Sequence, residues 1–533
     1  MRDVLDDFPF WNFRWVKHYS LSRAKNSTSP PKAKGKQATV RLIDTSDSES
    51  GYKKAFLRGR KMRTLVLVGS ANFTYTWCPL ARRPFFTLSV RHRPKLKFST
   101  SSDKACRSYI DEECDEDFLP WLEQKACTKI SSTLSIGKSA HGRALYASKP
   151  IQAGDCILRV PYSVQLAPDN LPPEICSLFG DEVSSVSKVA LLLLHEQKMG
   201  QKSEWAPYIR RLPQPFEMHN TIFWSDDELE MIRQSVIYQE TIKQRNHIEK
   251  QFMAIKPATD QFPQCFEDVS LKDFAYAHAL VTSRAWESSR GVSMIPFADF
   301  LNHDGTSEAC LMSHEGKQLS EVIAERDYSP GDQVLISYGK FSNSSLVLDF
   351  GFTVPYNIYD QAQVELNIPQ HYHLFQMKLE LLQRFKAPAI KDVNEFSSSE
   401  KLFTIKEVKF ASKKGRGIPQ SFRAFARVLC SNAQELSDLE SEAAQSDGRL
   451  ARSPLKNKSR EIEAHELIHS KITEQINEYD ACIKSLGPST SQNLVTKHAL
   501  RRQMAHDLLT GELRVLKSAS AWLKKYCATL LEG

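Results

Sequence analysis

The stretch Ile295-Pro-Phe-Ala-Asp-Phe-Leu-Asn-His-Asp304 decides how the rest of this chain is read. It is an apolar, strand-like run that ends abruptly on Asp299, Asn302 and His303. Polar groups at the end of a buried apolar run destabilise the fold unless something satisfies them. Alone, Asn-His-Asp-Gly is also ordinary turn chemistry. The sequence downstream weighs against that plain reading. Asp327-Tyr-Ser-Pro-Gly-Asp-Gln-Val-Leu-Ile-Ser-Tyr-Gly339 gives a Pro-Gly turn, an alternating strand and a Tyr-Gly pair. After it come Ser342-Asn-Ser-Ser-Leu346 and Leu348-Asp-Phe-Gly-Phe352. Upstream stand Ala140-His-Gly-Arg143, Lys149-Pro-Ile-Gln-Ala-Gly-Asp155 and Ser283-Arg-Ala-Trp286.

This series resembles the catalytic half of a SET-domain methyltransferase. Within that group it looks most like the Rubisco large-subunit lysine methyltransferase family, which includes the actin-histidine methyltransferase. The resemblance runs from about Phe118 to the C-terminus. It implies an α+β fold: a SET domain of small β-sheets with a helical insertion, then an all-α C-terminal domain that docks the substrate. It also implies S-adenosyl-L-methionine as cofactor and a protein lysine side chain as acceptor. Tyr338 then matches the catalytic tyrosine. Asn302 and His303 match the cofactor-holding pair, His141, Gly142 and Arg143 the first cofactor loop. Arg284 would reach cofactor and substrate together, with Ser283, Asp299 and Phe350 lining the acceptor side. One position departs from the family: Phe350 stands where the Rubisco-methylating enzymes carry a second tyrosine. Losing that hydroxyl removes a hydrogen bond of about 1 kcal/mol. It also makes the pocket more apolar, and leaves open an acceptor other than lysine.

Composition narrows the classes independently. With 41% hydrophobic and 25% charged residues the chain is globular. No apolar run approaches the ~20 residues that a membrane helix needs. Val189–Leu194 stops at His195-Glu196 and reads as a buried helix. The formal charge of +8 is unevenly spread. Residues 1–102 hold 21 Lys/Arg and 6 Asp/Glu, a net of +15, so the remaining 431 residues are net −7. An acidic body argues against coating nucleic acid by backbone electrostatics. Eleven scattered cysteines, none in a Cys-x-x-Cys pair, point to reduced thiols rather than a disulfide framework or a structural zinc site.

Along the chain, Lys25–Ser50 is rich in Ser, Thr, Pro and Lys and reads as disordered. Gly51–Ser102 contains no Asp or Glu, the composition of an organelle transit segment, and Met62 opens it. The expectation is a chloroplast transit peptide at 62–102 and a mature protein in the stroma, with Met62 as the working start. Residues 103–355 then form the SET domain, with a helical insertion at about 165–288, and 356–533 a helical docking domain. Strands are expected at Ile130–Ile136, Arg143–Ala147 and Cys156–Val160. The capping box Ser225-Asp-Asp-Glu228 opens a helix running to about Lys256, and Ser270-Leu-Lys-Asp273 opens a second. His278 on that second helix reads as a core or surface histidine rather than a ligand. Further helices are expected at Tyr372–Phe385, Gln420–Leu436, Arg460–Leu486 and Thr496–Leu531, with Ser437–Lys456 as an exposed loop.

Two functions fit. The first is an S-adenosylmethionine-dependent protein-lysine N-methyltransferase acting on a non-histone stromal protein. The second is a SET-fold binding or scaffold subunit of a plastid complex that kept its cofactor pocket. Tyr338, Asn302, His303 and Arg284 together favour the first, and Phe350 favours the second.

Overall fold

The computed structural model describes residues 17–18 and 117–532, apart from 141, 267, 289, 308, 368–373, 386–395, 397–400, 410–414 and 488–495. The transit-peptide and Met62 expectations lie outside the described residues, as does His141. Helix α1 (Phe118–Ala126) buries Phe118 and Leu122, four residues apart and so on one face. Hairpin β1 (Leu134–Ser139) and β2 (Gly142–Ala147) pairs from Leu134 with Ala147 to Ser139 with Gly142, so its turn is two residues long. Gly142 has φ +95°, a value glycine adopts without strain. Strand β3 (Cys156–Pro161) follows.

The expected insertion is helical. In α2 (Ser185–Met199) the Ser184 hydroxyl accepts from Ser187 N–H, and Val189–Leu194 are all buried, as their unbroken apolar run requires. After α3 (Ala206–Ile209) the long helix expected from Ser225 divides into α4 (Asp226–Glu230) and α5 (Ile237–Gln261). Between them, Ser235 anchors the linking turn: its hydroxyl accepts from Ile237 N–H and donates to the distant Glu512. Helix α6 (Leu271–Arg284) starts on the Ser270 box as expected and packs against α2. His278, inside α6, is buried, and burial pushes its pKa down to about 3, as for a neutral core histidine.

Hairpin β4 (Trp286–Ser288) and β5 (Gly291–Ser293) leads into the deciding stretch. That stretch is not a strand through Leu301, as its pattern implied. Pro296 has no N–H to give a ladder, Phe297 has φ +73°, and Ala298–Phe300 form a 3₁₀ turn. Only β6 (Asn302–His303) is extended, while Ile295, Phe297, Ala298, Phe300 and Leu301 are all buried. Strands β7 (Leu311–His314) and β8 (Leu319–Ile323) join β3 in a sheet of order β3-β8-β7. Strand β9 (Leu335–Ile336) lies parallel to β6, with Leu335 opposite Asn302 and Ile336 opposite His303. Asp304 N–H donates to Ile336 O and Ser337 N–H to Ala309 O. The strand approaching Tyr338 is therefore threaded between Asp304 and Ala309, the two sides of the loop that follows Asn302.

The C-terminal part is helical, with one addition to the expectation. Strands β10 (Gln361–Glu365) and β11 (Leu402–Lys406) form an antiparallel pair on either side of α7 (Phe375–Arg384). Then come α8 (Gln420–Cys430), α9 (Ala433–Gln445), α10 (Lys458–Leu486) and α11 (Lys497–Glu532). The polar run expected as a loop from Ser437 belongs to α9 as far as Gln445. Asn432 caps this helix, and Leu436, Leu439 and Ala443 bury a stripe at helical spacing. One apolar core gathers residues 118–346; a second joins Trp224, Leu229, Ile232 and Ile237 of the insertion, Val347 and Leu348, and the C-terminal helices.

Candidate active site

The threaded strand places Tyr338 beside the end of the deciding stretch. Its hydroxyl donates to Leu301 O at 2.7 Å, and its N–H donates to His303 Nδ1 at 3.1 Å. Burial lifts the Tyr338 phenol well above its usual range; Arg284 opposes the lift and Asp299 adds to it. Tyr338 is therefore a neutral hydrogen-bond donor at physiological pH, not a base. Around its ring stand His303 (centroids 5.1 Å apart), Phe350 (5.4 Å), Trp286 (6.2 Å, edge-on) and Phe352 (6.4 Å, edge-on). Phe350 also meets Phe341 at 5.4 Å. The result is an aromatic wall with one phenol fixed in it.

A second group is polar. Asp299, whose side chain is 0% exposed, accepts from the Tyr208 hydroxyl at 2.9 Å and from Arg284 Nη1 at 3.3 Å, both on Oδ2. Arg284 Nη1 also donates to the Asp299 main-chain carbonyl at 3.0 Å. The carboxylate and its own carbonyl are thus held by one guanidinium. Leu301 O, bonded to Tyr338, lies only two residues on.

The third group is the hairpin. Asn302 Nδ2 lies 3.3 Å from both Arg143 O and Ser139 Oγ, which ties β6 to the β1–β2 turn. A Cβ added at Gly142 would meet nothing within 4 Å, so open space lies beside this backbone. The Arg143 guanidinium turns away to Arg211 O at 2.8 Å, in the insertion.

The structure therefore brings together Tyr338, His303, Asn302, Asp299, Arg284 and Phe350, with Gly142 and the Arg143 carbonyl across from Asn302. Ser283 is not drawn in by its hydroxyl, which donates to Leu280 O of its own helix at 3.2 Å. Sequence reasoning missed Tyr208, Ser139, Phe352 and the Leu301 carbonyl. Trp286 falls within the Ser283-Arg-Ala-Trp286 motif, yet the motif alone gives it no part in the wall. Phe352 carried a signal, since it closes the Phe-Gly-Phe triplet that follows Tyr338; Tyr208 carried none at any fixed distance.

Residues 142–339 match the SET domain family, and residues 369–516 match the Rubisco LSMT substrate-binding family. The Pisum sativum chloroplastic ribulose-1,5 bisphosphate carboxylase/oxygenase large subunit N-methyltransferase is 26% identical over 285 residues, 50% of this chain and 57% of that enzyme. The chloroplastic [fructose-bisphosphate aldolase]-lysine N-methyltransferase of Arabidopsis thaliana is 27% identical over 323 residues, 57% of this chain and 64% of that enzyme. The Gallus gallus actin-histidine N-methyltransferase is 22% identical over 443 residues, 78% of this chain and 71% of that enzyme. The chain thus spans a little over half the length of the pea relative. Among solved structures, Rubisco LSMT bound to AdoMet superposes with a TM-score of 0.60 at 22% identity, covering 79% of this chain and 93% of that one. The SET domain of LSMT bound to lysine and AdoHcy gives 0.61 at 20% identity over the same shares. These are likenesses of fold.

Proposed function

From a chain that carries a SET domain and, behind it, a Rubisco LSMT substrate-binding domain, we propose an S-adenosylmethionine-dependent protein-lysine N-methyltransferase acting on a non-histone protein of the plastid stroma. The observation that carries this reading is the threaded strand, which delivers a buried, neutral Tyr338 phenol to the Leu301 carbonyl inside an aromatic wall. The plastid assignment leans on the chloroplastic relatives of pea and Arabidopsis and on the acid-free segment 51–102. In this reading 103–355 is the SET domain with its insertion at 165–288, and 356–533 docks the substrate.

The residues present fit the cofactor. Gly142 leaves room for close backbone approach, and the Asn302 amide faces the hairpin it would help hold. Asn302, the 302–303 main chain and the 141–143 loop would hold S-adenosylmethionine, which when bound supplies an electrophilic methyl group on a sulfonium.

The rest belongs to the chain. A lysine side chain in water has a pKa of ~10.4, so it arrives protonated and must lose its proton to solvent before it attacks. Trp286, Tyr338, Phe350 and Phe352 favour the neutral amine by excluding water from the ammonium. Tyr338 and the Leu301 carbonyl fix where the nitrogen lone pair points, and orientation of this kind supplies several kcal/mol of a displacement barrier. Arg284 braces the Asp299 carbonyl and carboxylate, two residues from the Leu301 carbonyl.

Titration calorimetry of the full chain should show micromolar binding of S-adenosylmethionine, weakened at least tenfold in Asn302→Ala. Unaltered affinity in that variant overturns the cofactor site. Labelled methyl groups should pass to a stromal protein and fail to do so in Tyr338→Phe; undiminished labelling would remove Tyr338 from the chemistry. Cofactor binding with no transfer to any stromal protein would support the scaffold reading.

A further inference from the structure

We infer that Tyr208, in the helical insertion, is a positioning residue for acceptor binding, acting through Asp299. The inference rests on the methyltransferase reading above and extends it to an element outside the strands of the SET core.

Tyr208 sits on the four-residue helix α3, which begins with Ala206-Pro207. Its ring is wholly buried and lies against Phe118 of α1, with centroids 6.4 Å apart. For packing alone phenylalanine would serve: Phe118 and Phe300, 5.4 Å apart, make this an apolar corner. A buried phenol needs a partner, and here that partner is the carboxylate of Asp299, fully enclosed, at 2.9 Å.

The bond does something that packing does not. Arg284 Nη1 is shared between the Asp299 carbonyl and Oδ2, so the guanidinium holds the carboxylate from one direction. The phenol, from a different element, holds the same oxygen from a second. Two residues after Asp299 stands the Leu301 carbonyl that receives Tyr338, so a turn of the Asp299 side chain is transmitted along a short, buried 3₁₀ segment to the catalytic phenol. The same stretch of the insertion reaches the hairpin, through Arg211 O and the Arg143 guanidinium. The insertion is thereby bonded to both halves of the candidate site.

The test compares the full chain with Tyr208→Phe, which keeps the ring and its packing. Tyr276→Phe is the control: it also loses a hydroxyl in the insertion, one bonded at 2.6 Å to Pro213 O rather than to Asp299. Three quantities are read: thermal midpoint, S-adenosylhomocysteine affinity by calorimetry, and steady-state methyl transfer to free L-lysine. A hydrogen bond to a charged group is worth enough to change acceptor KM by about tenfold or more. Tyr208→Phe should show that rise together with a fall in kcat, because the Leu301 carbonyl that receives Tyr338 moves with Asp299, while melting and S-adenosylhomocysteine affinity stay close to the unmutated chain. Tyr276→Phe should leave KM alone. An unchanged KM in Tyr208→Phe overturns the positioning role, as does a KM rise accompanied by equal losses of melting temperature and S-adenosylhomocysteine affinity. An unmutated chain that binds no S-adenosylhomocysteine and transfers nothing to L-lysine overturns the methyltransferase reading itself, and this inference with it.

Discussion

Substitution of Gly351 by alanine should disturb the acceptor wall and leave the cofactor side alone. Gly351 lies between Phe350 and Phe352, closes the turn Leu346–Phe350 and has φ +76°, ψ +27°. Its N–H donates to Leu346 O at 2.9 Å. An L-residue in this left-handed region is disfavoured by roughly 1–2 kcal/mol. The new Cβ would also stand 2.9 Å from Asn220 N and 3.2 Å from the His219 carbonyl carbon. Asn220 cannot easily retreat: it is buried, and its Nδ2 donates to Leu348 O in the same turn at 3.2 Å. Overpacking of this kind adds about 1–3 kcal/mol, for a total on the order of 2–5 kcal/mol. At roughly 2 °C per kcal/mol for a large domain, the thermal midpoint should fall by about 4–10 °C. Phe350 and Phe352 must shift with the turn, so methyl transfer should drop while S-adenosylhomocysteine affinity holds. Gly331→Ala is the matched control, since Gly331 has φ +91° but open space around it; it should lose only the backbone share. Calorimetric melting and labelled-methyl transfer read both effects. Equal melting temperatures for Gly351→Ala and Gly331→Ala would refute the role given to Asn220, and full activity in Gly351→Ala would refute the aromatic wall.

Two further perturbations test the body of the protein. Arg427 and Glu461 form a bidentate pair at 2.7–2.9 Å with both side chains almost wholly buried, and Glu461 accepts Leu455 N–H as well. Glu461→Ala, which strands the guanidinium, should destabilise the C-terminal helices by about 3–5 kcal/mol, seen as an early melting step, while Arg427→Met with Glu461→Leu should come close to neutral. Asp360, facing Arg514 and Glu512, is pushed by burial up to about 7 against its ordinary 3.8. A carboxyl raised in this way stabilises the fold fully below its unfolded pKa and stops doing so as pH rises through the folded one. Asp360→Asn should therefore gain thermal stability relative to the unmutated chain between pH 4 and pH 8; a constant difference across that range would refute the assignment.

Most of the fold could be read from sequence because its signals are local. The Ser270 box and the unbroken run Val189–Leu194 each carry their own cause within a few residues. The failures have separate origins. The helix from Ser225 ends at Glu230, and the turn that follows it carries Ser235, whose hydroxyl bonds to Glu512, 277 positions away. The deciding stretch has the apolar content of a strand, whereas Pro296 and the left-handed Phe297 end the extended backbone. Helix α9 was hidden by exposed polar residues, since its buried stripe is only Leu436, Leu439 and Ala443.

The same division runs through the site, and it says what kind of residue sequence reading will miss. Asn302, His303, Gly142 and Tyr338 stand in short motifs whose spacing is set by the strands that carry them. Tyr208 belongs to no such frame. Its reason lies in Asp299, 91 positions on, and nothing around it in sequence distinguishes a phenol that bonds a carboxylate from a ring that fills space. Burial supplies the missing criterion. Ser235, Ser344 and Tyr479 all donate to the single buried carboxylate of Glu512 on α11, and Ser344 lies six residues past Tyr338. Each of these hydroxyls is buried, and each ties its own segment to α11. If enclosed hydroxyl-to-carboxylate bonds are how the insertion and the C-terminal helices hold the threaded strand in place, Ser344→Ala should change acceptor KM in the same direction as Tyr208→Phe. Its effect should be smaller, because two other donors remain on Glu512. An effect larger than that of Tyr208→Phe would mean that Glu512, not Asp299, governs the geometry of Tyr338.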